Sequence, residues 1–399
     1  MIWKECAMSK IDELIAQYCP DGVEYKTVWE VTAWDKKFNS VDNYKQPKVR
    51  KYKYYLANEL KPMIVSNGTI KILTTNVSDL FTSEVFAEGN AIEDEIIAIP
   101  WGGNAVVQYY NGKFITSDNR IAVVNENSGL LTKFLYYIFL KNIDLIASFY
   151  RGSGIKHPNM SKILDMKVPI PPLPVQEEIV SILDKFTALQ AELEAELEAR
   201  THQYEYYRNE LLSFEGKDVE WKSLKEVALL KTGSRNTVDA ILDAEFDFYV
   251  RSQDVLKIDG YDFDDKECII TSGDGVGVGK ILHYVRGKYA LHQRAYRILV
   301  NNSLLSTKFL YFYMKQTFYK YIMGNSVSSS VTSLRKPMLE RYPIPIPPIE
   351  EQERIVGILD KFDALVNDIS IGLPAEIQAR RQQYEYYRGK LLTFEPLTA

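Results

Sequence analysis

Two segments of the 399-residue chain carry a helical pattern of apolar residues, and prolines precede each segment. The central apolar stripe runs through Ile179, Ile182, Phe186, Leu189 and Leu193. The C-terminal stripe runs through Ile355, Ile358, Phe362, Leu365 and Ile369. Alternating spacings of three and four are typical of the a and d positions of a coiled coil. We therefore predict two long helices that bury these stripes against each other as an antiparallel pair.

The two helical segments belong to an internal repeat. Residues 170–186 and 346–362 are identical at 12 of 17 positions, and residues 204–215 and 384–395 at 9 of 12. Upstream, residues 22–31 resemble residues 218–227, and the sequence TKFLY occurs at 132–136 and at 307–311. A repeat of this length is a duplicated domain with its connector, which predicts a pseudo-two-fold internal repeat. The second copy contains an insertion at Gly372, Leu373 and Pro374, where we predict a break or kink in the helix.

The regions before the helices predict mixed α/β domains. Short β-rich runs at 95–100, 105–110, 268–271 and 280–285 alternate with glycine turns, and an aromatic-rich helix follows each TKFLY. The fold class predicted is mixed α/β, with two globular domains separated by two long antiparallel coiled-coil helices. The expected segments are an N-terminal helix and first domain (1–168), a central helix (169–217), a second domain (218–344) and a C-terminal helix (345–399).

Charge is distributed unevenly along the chain. The total net charge is −5, but residues 175–215 carry −7 and residues 349–395 carry −3, which leaves +5 for the rest. An acidic total normally argues against a nucleic-acid partner. Here the acidic residues are concentrated in the predicted helices, so the globular regions stay mildly basic and a nucleic-acid partner remains open.

Several classes of protein are disfavoured. No run of 18 apolar residues is present, and the N-terminus MIWKECAMSK, in which Met8 is an alternative start, has no signal-peptide core. The three cysteines and four histidines lack ligand spacing, which predicts a cytoplasmic protein without a metal site or disulfides. The motifs GxxxxGK[ST], HExxH and NPP[YF] do not occur. The glycine-rich residues 273–279 precede a strand-like segment, so a β-turn is predicted there in place of a dinucleotide site.

Basic residues interleaved with aromatic residues are the main candidate chemistry. Residues 44–61 hold six basic residues, one acidic residue and four tyrosines, which suits phosphate contacts as well as a solvated loop. Arg and Gln near residue 294 suit the edges of guanine and adenine. Small-residue loops at 151–156 and 326–330 suit either phosphate contacts or hinges. The candidate DNA-binding residues are Lys45, Lys48, Arg50, Lys51, Lys53, Asn119, Arg120, Arg151, Lys156, Arg235, Gln253, His292, Gln293, Arg294 and Arg297.

A proline-rich run leads into QEEIV or QERIV and then into a long helix, once centrally and again near the C-terminus. This arrangement resembles the specificity (S) subunit of type I restriction-modification systems. The resemblance covers essentially the whole chain. It implies that the two variable regions are target recognition domains, each binding one half of a bipartite, asymmetric DNA site. It also implies that the paired helices set the spacing of the half-sites.

The resemblance further implies the partners of the chain. They are double-stranded DNA, two methyltransferase (M) subunits that hold S-adenosylmethionine, and two restriction (R) subunits that use ATP and Mg²⁺; no cofactor is expected on this chain. The candidate subunit-interface residues are Gln176, Ile179, Phe186, Tyr204, Tyr207, Gln352, Ile355, Phe362, Tyr384 and Tyr387. Two alternatives remain open, a standalone DNA methyltransferase or nuclease and a protein-binding scaffold without sequence readout. Missing catalytic motifs count against the first, and the basic-aromatic stretches count against the second.

Overall fold

The computed structural model describes residues 2–325 and 333–397, so the predicted loop at 326–330 lies outside the described residues. The chain divides into two compact units. The first consists of Met1–Glu192 with Gln378–Ala399, and the second of Leu193–Ile377.

The first unit is built from short helices and strands that lead into one long helix. In chain order they are α1 (Ile2–Tyr18), β1 (Glu24–Thr27), α2 (Val28–Val31), β2 (Thr32–Trp34), α3 (Ala57–Leu60), β3 (Ile70–Leu73), β4 (Phe81–Thr82), α4 (Glu84–Ala87), β5 (Ile92–Pro100), β6 (Gln108–Thr116), β7 (Asn119–Val124), α5 (Thr132–Lys141), α6 (Ile143–Ser148), β8 (Tyr150–Arg151), β9 (His157–Pro158), α7 (Met160–Leu164), β10 (Lys167–Ile170) and α8 (Leu173–Leu211).

The second unit contains the end of α8 and a similar series of elements. They are β11 (Glu220–Ser223), α9 (Leu224–Val227), β12 (Ala228–Thr232), β13 (Phe246–Tyr249), β14 (Leu256–Ile258), β15 (Phe263–Ser272), β16 (Leu282–Leu291), β17 (Ala295–Val300), α10 (Thr307–Gly324), α11 (Lys336–Glu340), β18 (Pro343–Ile346), α12 (Ile349–Asn367) and α13 (Leu373–Leu391). The part of α13 after residue 377 belongs to the first unit.

Each unit contains a six-stranded sheet, and the two sheets have the same strand order. The order is β2-β7-β5-β6-β3-β4 in the first unit and β12-β17-β15-β16-β13-β14 in the second. Neighbouring strands are antiparallel except for the parallel pairs β3–β6 and β13–β16. The sheets confirm the predicted duplication and the mixed α/β class. Predicted strands at 95–100 and 268–271 fall on β5 and β15, whereas β16 and β6 begin two and three residues after the predicted starts at residues 280 and 105.

A two-stranded ribbon closes each domain next to its connector helix. β1 pairs with β10 so that Tyr25 faces Pro169, and β11 pairs with β18 so that Trp221 faces Pro345. Proline is tolerated in such a ribbon because strands without a second neighbour need fewer backbone donors. Each ribbon joins the start of its domain to the end of the same domain. These are two of the places where the two copies of the repeat match in sequence.

The predicted break in the C-terminal helix is confirmed and lies between Asn367 and Leu373. The Asp368 carboxylate accepts hydrogen bonds from the backbone N–H groups of Ser370, at 2.7 Å, and of Ile371. A Cβ atom at Gly372 would lie 2.5 Å from the Ala364 carbonyl oxygen, so this turn requires glycine. The C-terminal segment therefore forms two helices where the apolar pattern alone predicted one.

Aromatic rings join the connector helices within each unit. In the first unit the Phe186 ring on α8 lies 6.4 and 5.6 Å from the rings of Tyr384 and Tyr387 on α13. In the second unit the Phe362 ring on α12 lies 6.1 and 5.6 Å from the rings of Tyr204 and Tyr207 on α8. Residues late in α8 thus pair with residues early in the C-terminal segment, as in an antiparallel pair.

Candidate nucleic-acid interface

The basic stretch of the first unit is held against the sheet by backbone hydrogen bonds. The Arg50 N–H donates to the Trp34 carbonyl and the Tyr55 N–H donates to the Thr116 carbonyl, both at 2.9 Å. The stretch therefore runs from the edge strand β2 to the end of β6. Within it, Lys48, Arg50, Lys51 and Lys53 are exposed and Lys45 is partly buried.

Some of these cations have partners inside the unit. Lys45 Nζ lies 2.7 Å from Asp165, whose hydrogen bond raises the pKa of the lysine. Arg50 forms an ion pair with Asp94, and Lys53 Nζ lies 4.7 Å from the centre of the Tyr55 ring. Lys48 and Lys51 are thus the clearest candidates in this stretch for contacts with a phosphate backbone.

Asn119 and Arg120 lie inside the first unit. The Arg120 side chain is 2% exposed and pairs with Asp35 at 2.8 Å and with Asp118. Burial raises the pKa of Asp35, and the charge of Arg120 opposes that rise. The Asn119 side-chain amide donates to the Leu73 carbonyl at 3.1 Å. The sequence pattern suggested a DNA-binding role for both residues, but their burial and these bonds within the domain fit a structural one. Asn119 Oδ1 and Arg120 Nε are buried without a hydrogen-bond partner.

Arg151 and Lys156 are exposed beside a turn that begins at Trp101. Arg151 pairs with His157 across β8 and β9, and the Gly103 N–H donates to the Lys156 carbonyl at 3.0 Å. Lys36 Nζ lies 4.8 Å from the centre of the Trp101 ring. Lys36 follows β2 and belongs to no motif, so the sequence pattern did not indicate that it lies beside this turn.

In the second unit the structure brings several predicted residues together. The Gln293 N–H donates to the Arg235 carbonyl at 2.9 Å, and the Gln293 amide binds the Asn236 side chain. Arg294 follows in the same turn and its side chain is 63% exposed. Gln253 is exposed in the turn after β13. This end of the sheet therefore presents a polar surface with an amide and a guanidinium next to each other.

An open pocket of about 310 Å³ lies beside this turn. Its lining consists of Thr232, Gly273, Asp274, Gln293, Arg294, Tyr296, Ser333 and Leu334. The strand-to-strand turn at 273–279 supplies Asp274, and the predicted absence of a helix after these glycines is confirmed by β16. Sequence reasoning did not single out Asp274, because its place beside Arg294 depends on the strand order of the sheet.

His292 and Arg297 are buried, unlike Gln293 and Arg294 between them. Arg297 Nε lies 2.7 Å from an oxygen of Asp265, and both side chains are less than a tenth exposed. The Tyr289 hydroxyl donates to the same carboxylate at 2.6 Å. The His292 ring accepts a hydrogen bond from the Arg294 N–H at 3.0 Å. Arg297 therefore fits a structural role, and His292 shapes the turn that presents Arg294.

Two glutamines anchor the connector helices to their domains in the same way. The side chain of Gln176 is fully buried, accepts from the Leu131 N–H at 2.8 Å, and donates to the carbonyls of Gly129 and Pro171 at 2.7 and 2.6 Å. The buried Gln352 repeats these bonds with Ser306, Leu304 and Pro347, at 2.9, 2.8 and 2.8 Å. A glutamine amide supplies one acceptor and two donors, which matches these three backbone groups.

The remaining interface candidates divide between the core and the helix pairs. Ile179 and Ile355 are at most 1% exposed and pack in the cores of their units. Like the two glutamines, they are enclosed within this chain, which gives them an internal packing role; their predicted contact with another subunit stays a prediction. The aromatic candidates all take part in the ring contacts described above, and among them Tyr207 keeps 37% exposure.

A second repeated cluster joins sheet, domain helix and connector helix. In the first unit Lys133 lies 2.7 Å from Asp184 and 5.2 Å from the centre of the Tyr109 ring, and the Tyr109 hydroxyl donates to Glu95 at 2.7 Å. In the second unit the same contacts join Lys308, Asp360, Tyr284 and Glu267. The lysines and aspartates belong to repeated motifs, but the tyrosines and glutamates lie in strands that diverged, so this cluster could not be found from the motifs.

Two further properties concern the described residues only. Between residues 2 and 325 and between 333 and 397, no helix combines the length and apolar character of a membrane span. The same part of the chain contains no group of three or more His, Cys, Asp or Glu side chains arranged to hold a metal ion.

This chain resembles known proteins in both sequence and fold. The family model described as "Type I restriction modification DNA specificity domain" matches residues 48–200 and 216–379. The Haemophilus influenzae protein named "Putative type I restriction enzyme specificity subunit" is 32% identical over 337 residues, which are 77% of this chain and 85% of that protein. The EcoR124I/EcoR124II specificity subunit of Escherichia coli is 33% identical over 298 residues, 67% of this chain and 72% of that protein.

The fold comparison agrees with the sequence comparison. The crystal structure of the type I restriction-modification S subunit from M. genitalium superposes with a TM-score of 0.65 at 14% identity, covering 93% of this chain and 96% of that one. The family model matches twice and spans most of the chain, once in each copy of the repeat. The chain therefore belongs to the family of type I restriction-modification DNA specificity (S) subunits.

Proposed function

We propose that this chain is the non-catalytic DNA sequence-recognition subunit of a type I restriction-modification complex, and that each unit reads one half of an asymmetric, bipartite site. The observation that carries the proposal is a common scaffold with different surfaces. The two units share their strand order and their glutamine anchors, but their turns differ: the turn after β5 begins with Trp101, whereas the turn after β15 begins with Gly273, which makes the equivalent backbone bond, and continues with Asp274. Different side chains at equivalent positions suit different base sequences.

The partners in this proposal are double-stranded DNA, two M subunits and two R subunits. The M subunits would hold S-adenosylmethionine, and the R subunits would use ATP and Mg²⁺. The repeated helices and the repeated Lys-Asp clusters give the two halves of the chain similar surfaces, which supports two copies of each partner.

An exchange of one domain tests the proposal. The chain is co-expressed with its M subunits, and methylated positions are mapped in the host genome before and after residues 32–168 are replaced by the same region of a relative. One half-site should change while the other stays. A change in both half-sites, or methyl transfer by the purified chain without M subunits, contradicts the proposal.

A further inference from the structure

A single carboxylate holds two arginines at the edge of the pocket in the second unit. Asp274 Oδ1 lies 3.0 Å from an amino group of Arg251, and its Oδ2 lies 2.9 Å from an amino group of Arg294. The Asp274 side chain is 19% exposed, whereas those of Arg251 and Arg294 are 41% and 63% exposed. The carboxylate thus lies behind two guanidinium groups that face solvent.

The backbone fixes the carboxylate and Arg294 relative to each other. The Gly273 N–H donates to the Arg294 carbonyl, and the Leu334 N–H donates to the Gly273 carbonyl, both at 2.8 Å. A Cβ atom at Gly273 would lie 2.5 Å from the Arg294 carbonyl oxygen, so only glycine allows this approach. The contact between Asp274 and Arg294 therefore rests on a hydrogen-bonded backbone.

This arrangement has two electrostatic consequences. A guanidinium carries five N–H donors, and each arginine uses one amino group on Asp274, so the others stay in fixed positions for an acceptor pair such as O6 and N7 of guanine. The carboxylate also cancels part of the positive charge, which weakens attraction to any phosphate regardless of sequence.

We propose that Asp274 is a specificity-determining residue of the second unit, which positions Arg251 and Arg294 toward a guanine edge and suppresses non-specific phosphate binding. The proposal rests on the DNA-reading function proposed above. Asp274 acts through the two arginines. Its loss should therefore raise affinity for DNA of unrelated sequence, whereas the loss of a residue that only stabilises the fold should lower that affinity.

The experiment uses Asp274→Asn in the complex with M subunits. Affinity is measured over a range of salt concentrations for the mapped cognate duplex, for duplexes with single G·C pairs of the second half-site replaced, and for an unrelated duplex. Affinity for the unrelated duplex should rise about fivefold and the salt slope should steepen by about one, because one negative charge is removed. Discrimination at one G·C pair should fall about tenfold, as it should in Arg294→Ala.

Two matched variants serve as controls. Asp247 lies 2.9 Å from Lys257 in the same unit and does not line the pocket, so Asp247→Asn removes a charge elsewhere. Asp274→Glu keeps the charge and should keep non-specific affinity low. An equal rise in Asp247→Asn, or no rise in Asp274→Asn, overturns the role of Asp274. A wild-type complex without any sequence preference would instead contradict the proposed function itself.

Discussion

Arg297 and Arg294 have different surroundings, which predict that substitution of the first lowers stability and substitution of the second lowers base discrimination. Arg297 is buried with Asp265, so Arg297→Ala should lower the free energy of unfolding of the second unit by about 3–5 kcal/mol, since it leaves a buried carboxylate unpaired. The exposed Arg294→Ala should change stability by about 0.5 kcal/mol or less and lose base discrimination. Denaturant unfolding and duplex binding measure the two effects. A stable Arg297→Ala protein with relaxed specificity would contradict this assignment.

His292 makes the second unit sensitive to acid. Burial lowers the pKa of its ring, and the nearby charge of Arg251 contributes to the same shift. Because the unfolded chain binds this proton more readily, with a pKa of about 6.5, stability is fully present above that pH and is lost as pH falls through the lower folded value. Denaturant unfolding between about pH 5 and 7.5 should give a smaller pH slope for His292→Gln than for the wild type. Some slope should remain, because burial also lowers the pKa of His283. Equal slopes in the two proteins would refute the prediction.

At the scale of elements, the two glutamine anchors decide how each connector helix begins. Gln176→Leu should leave three backbone groups in a buried site without a partner, at a cost of about 1–3 kcal/mol for each group. Hydrogen exchange should accelerate near residues 129–131 in this variant. In Gln352→Leu, hydrogen exchange should accelerate near residues 304–306 and stay unchanged near residues 129–131.

The exposed neighbours of the anchors provide controls. Glu177 and Glu353 are exposed and directly follow the two glutamines. Substitution of either by Leu should leave local exchange unchanged, because no buried group loses a partner. Exchange that rises equally in the Gln and Glu variants would show that helix sequence, and not the buried amide, holds the junction.

The sequence predicted the parts of this fold that depend on local pattern. The helices around Ile179 and Ile355 and the break near Gly372 follow from apolar spacing and from the inserted glycine and proline. The burial of Arg120 could not be predicted, since its partner Asp35 lies 85 positions away, just after the strand β2. The pocket carboxylate Asp274 depends in the same way on a strand order that no local pattern contains.

At the scale of the whole molecule, the chain passes between its two units twice. The first passage is at residues 192–193 within α8, and the second is at residues 377–378 within α13. α8 is a single helix of 39 residues, about 58 Å long at 1.5 Å per residue. We expect the length of these helical passages to set the number of unread base pairs between the two half-sites.

Matched insertions at both passages test that expectation. A further copy of residues 195–198 after Glu194, with the same four residues added after Ile377, lengthens each helix by about 6 Å and keeps its apolar face nearly in phase. At about 3.4 Å per base pair, the complex with M subunits should methylate sites whose unread spacer is one or two pairs longer, with both half-sequences unchanged. Two-residue insertions rotate the helix face by about 200° and should abolish methylation. Methylation at the original spacing by the four-residue variant would show that the helices do not determine the distance between half-sites.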